Sequence, residues 1–174
     1  MATQNVAGNI QFIPAFNEVI STGLLSQLNL PAALNVQNTY TNATTGALTI
    51  DQIHAKVYSL AGTTTTIDLT SVLDLAGNSM NFARVRDFIV YNQDTTTSHI
   101  VNVYKGASNG WSYLPASTGP LICVANGGLI WLHDPSNALS TNGMVTSGSS
   151  KTITFDPGAN TVNLSVLIVG GSAT

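Results

Sequence analysis

The stretch from Thr65 to Asn92, TTIDLTSVLDLAGNSMNFARVRDFIVYN, constrains the chain more than any other. Ile67 and Leu69 alternate with polar neighbours, as in a half-buried strand, and Gly77-Asn78 supplies a turn. Beyond it Ala83 and Val85 share one parity and Arg84 and Arg86 the other, before the apolar run Phe88-Ile89-Val90-Tyr91, too short for a helix. This pattern predicts two strands around a turn, the second buried on both faces near its end. Val85 and Ile89, with Val166 from the last strand, are expected in the core. Arg84 and Arg86 are expected on the opposite face, near Asp74 or Asp87. The phase after Asp87 depends on whether a bulge there exchanges Phe88 and Val90 for Ile89 and Tyr91.

The residues that coat the apolar runs sharpen this. Charged side chains make up 7% of the 174 residues, against about 25% in an ordinary soluble domain. Thr, Ser and Asn fill the polar positions instead, and they suit strands and turns rather than solvated helices. A net charge of -3 with five Lys and Arg argues against nucleic acid as a partner, because phosphate binding draws on several basic contacts at once. Cys123 stands alone, so no internal disulfide is expected. The opening MATQNVAGNIQF lacks a basic region followed by an apolar one, so no secretory signal is expected. No apolar run approaches the ~20 residues of a membrane helix, so no membrane partner is expected either. The chain is expected to be made and assembled in a cytoplasm.

Two regions differ in rhythm. Residues 46–174 read as short strands at regular spacing: Ala47–Leu60, the stretch above, His99–Lys105, and two expected hairpins. One hairpin turns at Asn126-Gly127-Gly128, the other at Asp156-Pro157-Gly158, with Val162, Leu164, Val166 and Ile168 sharing a face of the last strand. The fold class predicted is all-β, an antiparallel β-sandwich of the jelly-roll kind. Residues 1–45 lack this rhythm. Asn17 is in position to cap a short helix carrying Ile20, Leu24 and Leu28 and ended by Pro31. The segment is either an irregular first layer of the same domain or an arm lying on a neighbouring subunit. On the arm reading, Ile10, Phe12, Ile13, Phe16, Ile20, Leu24 and Leu28 form the assembly interface of a homo-oligomer.

Chemistry is sparse. His54, His99, His133, Cys123 and Asp134 are the plausible metal ligands, yet none shows ligand-pair spacing. No Ser lies in a nucleophile elbow, and Glu18 is the only glutamate, which disfavours a glycosidase built on two Glu. Gly127-Gly128 and Gly170-Gly171 precede no helix pattern and make no phosphate loop. No enzyme activity, metal or cofactor is expected. Trp111 and Tyr113 in the loop of residues 106–119 either stack on sugar rings or plug one end of the sandwich, and plugging is the favoured reading. A carbohydrate-binding module using Trp111, Tyr113 and Trp131 is the alternative function.

Several signals recur in a fixed order: Ile67-Asp68-Leu69, Asp74 to Asn78, Phe82-Ala83-Arg84-Val85, Phe88 to Asn92, Gly110-Trp111, Gly127-Gly128 and Ile168-Val169-Gly170. The series resembles a group of small virion proteins encoded in the structural modules of tailed bacteriophages. It covers about two thirds of the chain and leaves residues 1–45 unmatched. The resemblance implies a capsid decoration or cement protein at the virion surface, made in the host bacterial cytoplasm. It would bind the major capsid protein and copies of itself; a tail or fibre component is the nearest rival.

Overall fold

The computed structural model describes residues 8–12, 15–20, 28–33, 36–44, 46, 48–74, 76–134 and 143–173, with backbone alone up to residue 38. The chain divides into two compact units, Gly8–Tyr40 and the remainder. No helix occurs among the described residues.

The described residues of the smaller unit form two antiparallel strand pairs. Strand β1 (Gly8–Phe12) pairs antiparallel with β4 (Val36–Asn42), and β2 (Ala15–Ile20) with β3 (Leu28–Ala33). In the first pair Gly8 lies opposite Tyr40 and Phe12 opposite Val36; in the second Ala15 lies opposite Ala33 and Ile20 opposite Leu28. The expected helix at 17–28 is therefore corrected where it is described: residues 17–20 and 28 are in strands. The apolar spacing that suggested successive helical turns instead sets Ile20 directly opposite Leu28 across the β2–β3 pair. Pro31 lies inside β3 opposite Asn17; a strand with one open edge tolerates a residue without an N–H. Ile13, Pro14 and Leu24 fall outside the described residues, as does most of the loop expected between Asp134 and Gly143.

The larger unit holds eight main strands: β6 (Gln52–Ala61), β7 (Thr65–Asp68), β10 (Arg84–Asn92), β11 (Val101–Lys105), β12 (Leu121–Cys123), β13 (Leu129–His133), β14 (Thr152–Asp156) and β15 (Thr161–Gly171). Minor pairings complete it, with β5 (Thr49–Ile50) parallel to the end of β4 and β8 (Val72–Leu73) against β9 (Ser79–Met80). The main strands form two antiparallel sheets, in the orders β13-β10-β15-β6 and β12-β11-β14-β7. The two expected hairpins are corrected here. Asn126 and Gly127 do turn the chain, with φ of 58° and 90°, yet β12 and β13 belong to different sheets, and so do β14 and β15. Each turn carries the chain across the core, because every one of these strands has an apolar face that the opposite sheet covers.

One core lies between the sheets. Phe88 from the first sheet stacks on Phe155 from the second, centroids 6.4 Å apart, and the Trp111 ring meets Phe88 edge-on at 5.8 Å. Val101, Val103, Ile153, Val162, Leu164 and Ile168 are fully buried around them. The register of β10 against β15 shifts between Val85 and Asp87, a bulge at Arg86 that reverses the alternation beyond it. Val85 and Val166 are buried as expected, but Ile89 is corrected to the outer face, half-buried, while Phe88 and Val90 fill the core. Double-sided burial falls at the start of β10, from Arg84 to Phe88, not near its end. Arg84 and Arg86 are themselves buried; Arg86 Nη2 donates to the Gly46 carbonyl at 2.5 Å, and Arg84 Nη2 reaches Met144 Sδ at 3.3 Å. Asp74 organises its own turn, accepting from the amides of Ala76 and Asn78.

Candidate assembly surfaces

The side chains with chemical potential are built into the fold. Among the described residues no group of three His, Cys, Asp or Glu converges to hold a metal. The Cys123 thiol donates to the Gly128 carbonyl at 3.1 Å, and burial pushes its pKa up to about 11, so the thiolate is scarce at neutral pH. His54 Nδ1 lies 2.7 Å from the Leu73 carbonyl, which can only accept, so Nδ1 carries the proton and Nε2 accepts from the Tyr58 hydroxyl at 2.9 Å. Burial is the main cause that lowers the His54 pKa, and burial lifts Tyr58 to about 12.

Two further histidines each meet a carboxylate. His99 Nδ1 lies 3.1 Å from Asp94, whose pKa is lowered by the Thr96 amide and by His99. His133 Nδ1 lies 2.9 Å from the fully buried Asp87, which also accepts from Trp131 Nε1 at 2.6 Å. These bonds lock β13 to β10 beside the bulge. At Asp68 burial opposes ionisation, but the hydrogen bonds from Lys151, at 2.6 Å, and Thr70 outweigh it and lower the pKa.

Trp111 is 0% exposed, and its indole N–H donates to the Met144 carbonyl at 3.1 Å. No face of the ring is open to a sugar, so the stacking expectation for Trp111 is corrected to the plugging one. Tyr113, half-buried, packs edge-on against Trp111 at 5.3 Å and donates to the His133 carbonyl. Trp131 lies elsewhere, on the outside of the first sheet.

That outer face is where the sheet departs from an ordinary solvated surface. The register builds rows that cross all four strands: Leu129, Tyr91, Ser165 and Val57 in one, and Trp131, Ile89, Leu167 and Ala55 in the next. A third row runs through His133, Asp87, Val169 and Ile53, where Asp87 is buried under its partners. Val57 is 53% exposed, Tyr91 42% and Leu129 41%. A shallow groove runs over Ala55, Val57, Ile89, Tyr91 and Leu167, and Lys56 is the one charged residue among those lining it. The outer side of the second sheet is hydroxylic by comparison, with Thr66 and Thr154 bonded to each other at 2.9 Å and Asn102, Tyr104 and Asp156 beside them.

The second surface is the smaller unit. Its register sets Ile10 opposite Asn38, Phe12 opposite Val36, Phe16 opposite Ala32 and Ile20 opposite Leu28, with Glu18 opposite Leu30. Directly paired residues share a face and alternate positions share it along a strand. Among the described members of the expected interface, Ile10 and Phe12 therefore share a face of the β1–β4 pair, and Phe16, Ile20 and Leu28 a face of the β2–β3 pair. The opposite faces hold Asn9 with Thr39 and Gln11 with Gln37 in the first pair, and Ala15 with Ala33, Asn17 with Pro31 and Val19 with Asn29 in the second.

The outer-face residues of the first sheet were not among the sequence candidates, although a signal was there. Phe88 to Tyr91, Leu129 to Leu132 and Val166 to Val169 are apolar at successive positions. A strand with one face on the core and one in water should alternate. Strands apolar on both faces leave the sheet an apolar outer surface as well as an apolar inner one. A scan of protein-family models, a search of curated proteins and a search of solved structures each find no match to this chain.

Proposed function

We propose that this chain is a structural component of a tailed-bacteriophage particle, a capsid decoration or cement protein that binds the head shell and further copies of itself. On this reading the larger unit is a jelly roll, a fold shared by viral capsid proteins and lectins. Strand order supports it: numbered one to eight, the main strands run 6-3-8-1 in one sheet and 5-4-7-2 in the other, derived from the orders given above. Every connection between successive main strands crosses from one sheet to the other except that from the fourth to the fifth, the pattern of a jelly roll. The phage assignment itself comes from the ordered motifs between Ile67 and Gly170.

The observation that carries a binding role is the uncharged apolar outer face of β13-β10-β15-β6. A lone domain in water gains nothing by displaying Val57, Tyr91, Leu129 and Trp131 in adjoining rows, whereas a subunit of a shell buries them. His54, His99, His133 and Cys123 are all engaged in bonds that hold strands and turns, which supports a structural rather than a catalytic role. The site of action is the outer surface of the head, reached after synthesis in the bacterial cytoplasm, with the major capsid protein as partner. The carbohydrate-binding alternative loses its anchor with Trp111 in the core.

Mass spectrometry of purified particles, with heads and tails separated, tests the proposal. The expected result is the chain in the head fraction at a copy number that is a simple fraction of the major shell protein, and rebinding of purified protein to stripped heads. Its presence in tails alone moves it to the fibre class, and its absence from particles overturns the proposal.

A further inference from the structure

Asparagine is a chemically fragile residue, most of all before glycine. A glycine has no side chain to shield its amide nitrogen, which can then attack the carboxamide of the asparagine before it. This chain holds three such pairs, Asn109-Gly110, Asn126-Gly127 and Asn142-Gly143. The reaction needs the glycine amide unbonded, and it needs the peptide plane between the two residues to rotate toward the side chain. The fold meets these conditions unequally.

The amide of Gly143 donates to Oδ2 of the buried Asp134 at 2.8 Å, and its carbonyl accepts from the Val85 amide at 2.8 Å. A nitrogen held on a carboxylate keeps its proton, because the anion left by losing it would face another negative charge. Asn109 is restrained differently. Its carbonyl lies in the same peptide plane as the Gly110 nitrogen, and it accepts from the amides of Lys151 at 2.7 Å and Thr152 at 3.0 Å. The Gly106 carbonyl closes the space that a Cβ on Gly110 would need. That plane turns only by breaking two hydrogen bonds against a packed wall.

Asn126-Gly127 has neither restraint. Both residues are exposed in the turn between β12 and β13. Among the described residues neither the Gly127 amide, the Asn126 carbonyl nor the Asn126 side chain makes a hydrogen bond. What is fixed is the flanks: the Asn126 amide donates to the Asp94 carbonyl at 2.7 Å, and the Gly128 carbonyl accepts from the Asn92 amide at 3.0 Å. Between these anchors the peptide plane rotates without breaking a bond.

We infer that Asn126 is a site of spontaneous deamidation in the folded protein, and that the fold protects Asn109 and Asn142. The Gly127 nitrogen, having lost its proton to hydroxide, forms a bond to Cγ of Asn126. The Cγ–Nδ2 bond breaks, and Nδ2 takes a proton from water and leaves as ammonia. Water then opens the succinimide at one carbonyl to give aspartate, or at the other to give isoaspartate. Asparagine and water become acid and ammonia, with no change of oxidation state. The product carries one more negative charge, and as isoaspartate it lengthens by one atom the turn that joins the two sheets. Gly127 lies against the Tyr91 ring, so the charge enters beside the apolar row of Tyr91 and Leu129. The inference does not rest on the particle assignment.

The test incubates the full chain in mildly alkaline buffer, folded well below its melting temperature or unfolded in guanidinium chloride. Digestion with pepsin in acid and tandem mass spectrometry then place the mass gain of deamidation. In the folded protein it is expected at Asn126, several-fold faster than at Asn109 or Asn142, with isoaspartate the larger product. Unfolding should bring the three sites to comparable rates, because each is followed by glycine. Asn126→Gln should remove the acidic form that accumulates on isoelectric focusing. Asn109 or Asn142 reacting as fast as Asn126 in the folded chain overturns the inference, as does an Asn126 that stays intact until the chain is unfolded.

Discussion

Phe88 and Ile89 are neighbours on β10, and their order of importance reports directly on the bulge at Arg86. Phe88 is fully buried between Trp111 and Phe155, whereas Ile89 lies half-buried on the outer face opposite Trp131 and Leu167. Phe88→Ala removes a whole ring from a packed core and should cost about 3–5 kcal/mol, the transfer loss plus the cavity left behind. Ile89→Ala removes three carbons from a partly wetted site and should cost about 1 kcal/mol, near half of full burial. For a chain of this size each kcal/mol lowers Tm by about 2–4 °C, so the expected losses are roughly 6–20 °C and 2–4 °C. Urea unfolding followed by tryptophan fluorescence, at low micromolar protein so that association adds nothing, measures both. Equal losses, or a larger one at Ile89, would mean that β10 continues its alternation through Arg86 and that the assigned register is wrong.

Two further outcomes are expected. The folded His54 pKa lies below its unfolded value of about 6.5, so the neutral ring stabilises the fold fully above that pH, and the contribution falls as pH drops toward the folded value. Denaturant unfolding between pH 7 and 5 should therefore show a declining limb that His54→Gln removes, while the depressed carboxylates of Asp68 and Asp94 act only at lower pH; an unchanged limb in the variant contradicts the assignment. A methyl group at Gly170 would sit 2.0 Å from the Arg84 carbonyl oxygen, whereas one at Gly119 meets nothing within 4 Å. Gly170→Ala should cost more than about 2 kcal/mol and Gly119→Ala within about 0.5, and similar melting temperatures for the two would refute the close packing of β15 on β10.

Reading the sequence locates strands well and partners poorly, for a reason visible at particular residues. Alternation at Val162, Leu164, Val166 and Ile168 is a local property, and it marks the inward face of β15. Turn chemistry is local too: Gly77, Asn126-Gly127 and Gly158 all adopt positive φ. Which strand lies beside which is decided by packing across the core, so Asn126-Gly127 signals a reversal that looks like a hairpin yet carries the chain to the other sheet. The phase of β10 escapes for a similar reason, because the bulge at Arg86 sits beside bonds from Asp87 to Trp131 and His133 on another strand. The Ile20, Leu24, Leu28 spacing fits a helix and a ribbon equally. Trp111 reads as a loop aromatic until Phe88 and Tyr113 enclose it. The apolar surfaces were half legible: the apolar residues of 8–40 stood out by number, while those of the outer sheet face were taken for core.

The pairing of β6 with β15 has a consequence in time. Residues Gln52–Ala61 meet Thr161–Gly170 over ten registered pairs, so the first main strand of the unit finds its neighbour only when the last has left the ribosome. Contacts this distant in sequence close late and slowly, since the intervening loop entropy is lost before they form. The rows on the outer face need both strands, with Ala55 and Val57 from β6 and Ser165 and Leu167 from β15. Nascent and truncated chains consequently lack a complete outer face, which exists only once the two ends of the unit have met.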